Sequence, residues 1–211
     1  MTFFRNLLAS QFRKPRGLLG SIVANKMARF NAEPYSLIID ALEFCGEERV
    51  LEVGFGPGLG VAHIARIVEN KTGSVCGIDV SKTMLKRASR QNRTFIEKKI
   101  VSLSNQSAAR TEFEDNQFDV LFGVNVVYFF DDPKRCLTEL KRILRPQGRA
   151  AFYLTDRHSL DIKSELFTKY TGEEFAQVMT QCGFQNTKLY THHITSDNRP
   201  RTGHVIIGWK P

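Results

Sequence analysis

Arg49-Val50-Leu51-Glu52-Val53-Gly54-Phe55-Gly56-Pro57-Gly58-Leu59-Gly60 is an apolar run that closes on an acid and gives way to glycine at every second position. This pattern predicts a buried strand breaking into a tight loop that a ligand approaches at backbone distance. Glycine serves there because a Cβ would meet the ligand or forbid the backbone angles. The spacing predicts a helix from Leu59 to Glu69, whose free N–H groups would point at the ligand. Strand, glycine loop and helix in this order open a nucleotide-type α/β fold.

Spacing narrows the ligand. A dinucleotide fingerprint needs G-x-G-x-x-G. Counted from Gly54 the third glycine falls on Leu59, and counted from Gly56 it falls on Val61. The phosphate-loop pattern fails too, since no Lys-Ser or Lys-Thr pair follows the glycines. What remains is Glu52, Gly54, Gly56 and Gly58. In this form the stretch resembles the first motif of the class I S-adenosylmethionine-dependent methyltransferases. A carboxylate beside the loop suits a ligand that carries an ammonium and a sulfonium, and would repel a pyrophosphate. The resemblance implies that Glu52, Gly54, Phe55, Gly56 and Gly58 hold S-adenosyl-L-methionine.

A second ligand-facing acid is expected about 20 residues further on, at the end of the next strand. Ser74-Val75-Cys76-Gly77-Ile78-Asp79 supplies it. Asp79 can accept both ribose hydroxyls of an adenosine, or cap the helix that starts near Lys82. Val80 and Met84 would flank the adenine. Phe113-Glu114-Asp115-Asn116-Gln117-Phe118-Asp119 resembles the family's approach to its fourth strand. Before it, Gln106-Ser107-Ala108 aligns with a family Gly-Asp-Ala whose Asp bonds the adenine amino group. Ser107 departs from that pattern: with Ala108 it can border the adenine edge, but it brings no charge.

The fourth strand, Phe118 to Val124, delivers Asn125-Val126-Val127-Tyr128-Phe129-Phe130 at its C-terminal end, where open α/β sheets bind ligands. Asn125 and Val126 are placed against the cofactor on this ground. Enzymes that methylate the exocyclic amines of nucleobases resemble one another in an Asn-Pro-Pro-aromatic here, and both prolines are missing. Phe129 and Phe130 fit either a core or a substrate wall. Tyr128 is the candidate active-site residue, because its hydroxyl needs a polar partner.

The remaining periodicity predicts a helix from Cys136 to Leu144, a strand near Arg149 to Leu154, and a helix from Glu173 to Gln181 stopped by Gly183. Strands are predicted at Thr187 to Thr191 and Val205 to Trp209. The resemblance implies a Rossmann-like, doubly wound seven-stranded α/β sheet, mostly parallel with a C-terminal antiparallel strand, and helices on both faces. Its specific motifs span residues 46 to 155; residues 156 to 211 follow it by pattern alone.

The 211 residues suffice for one well-cored domain, 36–211, behind a basic amphipathic N-terminal extension or lid, 1–35. Cys45, Cys76, Cys136 and Cys182 are dispersed without a CxxC pair or histidine spacing, so reduced thiols in a cytoplasmic protein are expected, with no metal and no disulfide. No apolar run approaches a membrane span. The net charge is +8, and Arg5, Arg13, Lys14, Arg16, Lys26 and Arg29 precede the first acid, Glu33. Phe3, Phe4, Leu7, Leu8 and Phe12 could form an apolar helical face beside them. A lid over the active site, an interfacial helix on anionic lipid and an organellar transit peptide all fit. The transit reading suits only residues 1 to about 16, since Leu18 to Tyr35 resembles part of the folded domain in small bacterial methyltransferases.

The chemistry that the resemblance implies is in-line displacement at a sulfonium methyl, accelerated by alignment and dryness. A base is needed only when the nucleophile is still protonated at neutral pH. His158, just past the fifth strand, is the candidate, with Asp156 as a weaker one. The leading expectation is methylation of a small, lipophilic acceptor. RNA methylation is the alternative, favoured by the basic balance (sequence pI about 9.5) and opposed by the clustering of charge in one segment without an RNA-binding module. A third reading is a domain that binds the cofactor without turnover.

Overall fold

In the computed structural model, residues 27–159, 167–196 and 199–211 are described. The expectations for residues 1–26 lie outside them. Helix α1 (Ala32–Leu42) precedes strand β1 (Arg49–Val53), helix α2 (Leu59–Val68) and strand β2 (Ser74–Ile78). Helices α3 (Lys82–Gln91) and α4 (Arg93–Glu97) lead to β3 (Val101–Ser104), then β4 (Phe118–Val124) and a single 3-10 turn, Val127–Phe129. Helix α5 (Pro133–Ile143), β5 (Leu144–Thr155), α6 (Gly172–Gln181), β6 (Gln185–Ser196) and β7 (Arg199–Trp209) complete the chain.

The seven strands form one sheet in the order β3-β2-β1-β4-β5-β7-β6. β1 through β5 are parallel, and β7 runs antiparallel to both of its neighbours. The strand order reverses between β1 and β4, which opens a crevice at their C-terminal ends. Alternation along each strand feeds two cores. Leu51, Val53, Leu121, Phe152 and Ile206 pack under α5 and α6, with Leu137, Leu140 and Phe175. Val50, Val120, Phe122, Tyr153 and Val205 pack under α1 to α3, with Ile38, Ile64 and Ala88.

Local chemistry sets the helix starts. Ser81 caps α3 by accepting from Met84 N (3.3 Å), so this capping role belongs to Ser81 and not to Asp79. Asp132 caps α5 ahead of Pro133, and Thr171 with Glu174 forms a complete capping box on α6. Three strands run longer than their apolar cores predict. β5 begins at Leu144, while β6 and β7 extend to Ser196 and Arg199. Past the β5 pairing of Thr155 with Gly203, β6 and β7 continue as a two-stranded arm at the cavity end of the sheet. There Arg201 stacks on the Phe30 ring, 5.0 Å from its centroid, and bonds Ser159 O.

Candidate functional site

A single cavity brings the glycine loop, the end of β2, the 106–109 segment, the end of β4 and the N-terminal residues 27–35 together. Of the residues expected at a cofactor, Gly54, Gly56, Asp79, Val80 and Met84 line it on one side. Ser107, Ala108, Asn125 and Val126 line it on the other. Glu52, Phe55, Gly58, Tyr128 and His158 are not part of the lining.

Gly56 and Gly58 differ in their reason for being glycine. Both have positive φ, +51° and +90°. A Cβ on Gly56 would meet nothing within 4 Å, so no packing demands the bare backbone there. A Cβ on Gly58 would come within 2.6 Å of Asn92 Nδ2 and 2.8 Å of Ala88 Cβ. Gly58 therefore seats the start of α2 against α3, and Asn92 Nδ2 donates to its carbonyl at 3.1 Å. The open space over Gly56 is a cradle that a side chain would fill, and it fits a ligand pressed on the loop.

Asp79 holds that loop in place. Its Oδ2 accepts from Gly56 N at 2.9 Å and its Oδ1 from Ser81 N at 2.7 Å. Asp79 thereby lines the cavity directly beside the loop it holds. Ser107 Oγ accepts from Ala109 N at 3.2 Å, which shapes the turn that lines the cavity at residues 106–109.

The structure corrects the placement of Glu52. Strand alternation sends Leu51 and Val53 to one face and Glu52 to the other, where it is fully buried beneath α1 and α2. Tyr35 OH donates to Glu52 Oε1 at 2.7 Å, and a Cβ on Gly60 would fall 2.6 Å from both carboxyl oxygens. Burial drives the Glu52 carboxyl up to about 8, against the downward pull of Tyr35 and the Val61 N–H. Its side chain is committed to the packing of α1 and α2 on β1 and is not part of the cavity lining. Phe55 is likewise turned into the core, under Gly77.

The raised Glu52 pKa makes a stability prediction. The stability this group contributes is fully present below its unfolded value of 4.5 and is lost as pH rises towards about 8. Glu52→Gln keeps the shape without the titration. Urea unfolding at pH 5, 7 and 9 is expected to show a flatter profile for the variant. Its advantage over the wild type should widen to a few kcal/mol by pH 9. Parallel profiles would contradict this.

Asn125 joins three elements. Its φ is +51°, and its N–H donates to Tyr153 O at 2.8 Å. Asn125 Oδ1 accepts from Thr155 N (2.9 Å), Thr155 Oγ1 (3.1 Å) and Tyr128 OH (3.0 Å), while Nδ2 donates to Asn31 Oδ1 at 2.8 Å. The network ties the N-terminal cavity wall to the ends of β4 and β5. Tyr128 OH also reaches Thr155 O at 2.8 Å, and burial raises its pKa well above 10. Its hydroxyl is thus committed inside the fold. Phe129 and Phe130, which the sequence left open between core and wall, line the cavity. His158 is exposed on the loop after β5, its N–H held by Asp156 Oδ1 at 2.9 Å. Asp156 Oδ2 in turn meets His204 Nε2 at 3.1 Å, a buried pair that fixes the loop.

Sequence reasoning missed Asn31 and Tyr35 as individual cavity residues, along with Gln106 and Cys136. For Asn31 and Tyr35 a signal existed, in the polar and aromatic residues interrupting an otherwise basic N-terminal segment. Gln106 carried none of its own, and Cys136 reads as an ordinary apolar helix position.

Comparison with known proteins agrees with this geometry. A family model described as a methyltransferase domain matches residues 51–152. An uncharacterized transposon protein of Streptomyces fradiae is 32% identical over 173 residues, covering 82% of this chain and 43% of its own length. The uncharacterized methyltransferase YdaC of Bacillus subtilis (strain 168) is 28% identical over 168 residues, covering 80% of this chain and 88% of YdaC. The crystal structure of a SAM-dependent methyltransferase from Aquifex aeolicus superimposes with a TM-score of 0.69 at 18% identity, over 87% of this chain and 93% of that one. The last likeness is one of fold.

Proposed function

This chain belongs to the class I S-adenosylmethionine-dependent methyltransferases, and we propose that it methylates a small, lipophilic molecule by in-line displacement. S-adenosyl-L-methionine is its cofactor. The observation that carries the substrate reading is the aromatic wall: Phe129 and Phe130 border the same cavity as Gly56 and Asp79. An apolar acceptor packs on such a wall and leaves water behind.

Bound S-adenosyl-L-methionine supplies a methyl group already activated on a sulfonium. The chain's own contribution is to hold and exclude. Gly56 lets the ligand rest on bare backbone, Asp79 accepts from its hydroxyls, and Val80 and Met84 cover its flat ring. Asn125 fixes the wall formed by Asn31 and keeps the reacting end aligned, an effect that alone can supply much of the rate. Tyr128 and His158 stand outside the lining, so this reading assigns the rate to alignment and desolvation rather than to proton transfer. Residues 17–35 are proposed to fold over the cofactor, and residues 1–16 to reach an anionic membrane.

The test is incubation with cofactor labelled in the transferred methyl and a total cell extract, followed by phase partition. Label is expected in the organic phase or among apolar small molecules. Label confined to RNA would overturn the substrate reading and leave the cofactor assignment intact.

A further inference from the structure

We infer that the outward face of α3 and α4, beside the cavity mouth, docks on an anionic lipid surface. Between positions 82 and 99 there are seven cations, Lys82, Lys86, Arg87, Arg90, Arg93, Lys98 and Lys99, against one acid, Glu97. Glu97 pairs with Arg93, and Lys98 pairs with Glu69. Lys82, Lys86 and Arg90 are exposed one turn apart on a single helix face and make no ion pair among the described residues. Met84 and Ala88 hold the opposite face in the core.

The arrangement costs the fold something. Like charges at i, i+4 repel along the ladder from Lys82 to Lys86 to Arg90. Lys82 also sits in the first turn, where the helix dipole disfavours a cation and no acid offsets it. A surface that breaks two local rules at once, with nothing in the fold to gain from it, points to a partner outside the fold. That partner is negatively charged.

A bilayer fits better than a nucleic acid. Helices α3 and α4 present no exposed aromatic side chain on which a base could stack; Phe95 is half-buried. At the end of the ladder that meets the cavity, Val80 is 38% exposed, an apolar side chain suited to the headgroup boundary. Docked in this way, the cavity mouth faces the layer where lipophilic acceptors dissolve. That consequence rests on the substrate reading above, whereas the docking rests on the described charges.

The test is co-sedimentation of the full chain with vesicles of mixed phosphatidylcholine and phosphatidylserine, against pure phosphatidylcholine. The chain is expected to pellet with the mixed vesicles at low salt and to release at high salt. A triple variant, Lys82→Glu with Lys86→Glu and Arg90→Glu, is expected to partition more than about a hundredfold more weakly. Its affinity for S-adenosylhomocysteine should stay at the wild-type value, which also reports that it folds. If the reversal unfolds the chain, the triple glutamine variant is expected to lose about a hundredfold. A second variant reverses Arg5, Arg13, Lys14 and Arg16 and tests the N-terminal contact separately. Wild-type partition in the helix variant, with loss only in the N-terminal one, would overturn the inference and spare that contact. Failure of the wild type to pellet would overturn both. Tighter binding to a mixed-sequence RNA than to vesicles at equal salt, lost in the helix variant, would make the partner RNA and overturn it as well.

Discussion

Gly56→Val is expected to abolish binding of S-adenosylhomocysteine in isothermal titration while lowering the melting temperature by only a few degrees. Gly56 has φ +51° and faces open space, so the valine methyls would occupy the ligand's volume. The accompanying backbone strain is about 1–2 kcal/mol, as for any L-residue held in the left-handed region. Gly58→Val is the internal control and is expected to behave in the opposite way. Its side chain runs into Asn92 and Ala88, so the loss should appear as unfolding. Two glycines two residues apart would then separate ligand approach from packing. If Gly56→Val bound the ligand normally, the loop would not be the cofactor cradle.

Asp79→Ala is expected to weaken the cofactor about 10- to 100-fold, the range for hydrogen bonds to a charged group, roughly 1.5–3 kcal/mol. It should cost stability as well, because the N–H groups of Gly56 and Ser81 both lose their acceptor. Asp79→Asn separates the two effects. The amide retains one acceptor oxygen, so one of the two backbone bonds is restored and stability should recover in part, while the affinity for a ribose stays low. Thermal melts and titrations on the same pair of variants check this. Full recovery of affinity in Asp79→Asn would mean that the carboxylate serves only the loop.

The glycine loop and the acid after β2 were legible because each is a local pattern with a local cause. A strand ending in Asp79 and a helix starting near Lys82 need nothing from the rest of the chain. Glu52 shows where motif reading and pattern reading part. Its place in the motif suggests a ligand contact, yet its place on the strand, between Leu51 and Val53, already turns it to the other face. The period-two rule carried the better information. Gly60 was the second clue, since only a glycine there lets α2 settle on a buried carboxyl.

The arm of β6 and β7 was not legible. Arg199, Pro200, Arg201 and Thr202 have neither apolar alternation nor a core to fill, and they are strand because Ile194 and its neighbours pair with them. Strand β3, four residues long and half exposed, was missed for a related reason: its parallel partner β2 defines it. The cavity wall at Asn31 depends on a hydrogen bond to Asn125 across 94 residues of sequence, which no window of local pattern contains. Tyr128, Phe129 and Phe130 were ambiguous because a 3-10 turn follows neither the helical nor the strand period, so their facing could not be read.

The account stands or falls on the identity of the ligand in the cavity. Titration of the full chain with S-adenosylhomocysteine, NAD and ATP in parallel is the most direct measurement. The account predicts one saturable site for S-adenosylhomocysteine, with much weaker or no binding of the two nucleotides. Preferential binding of NAD or ATP, with no heat from S-adenosylhomocysteine, would contradict it.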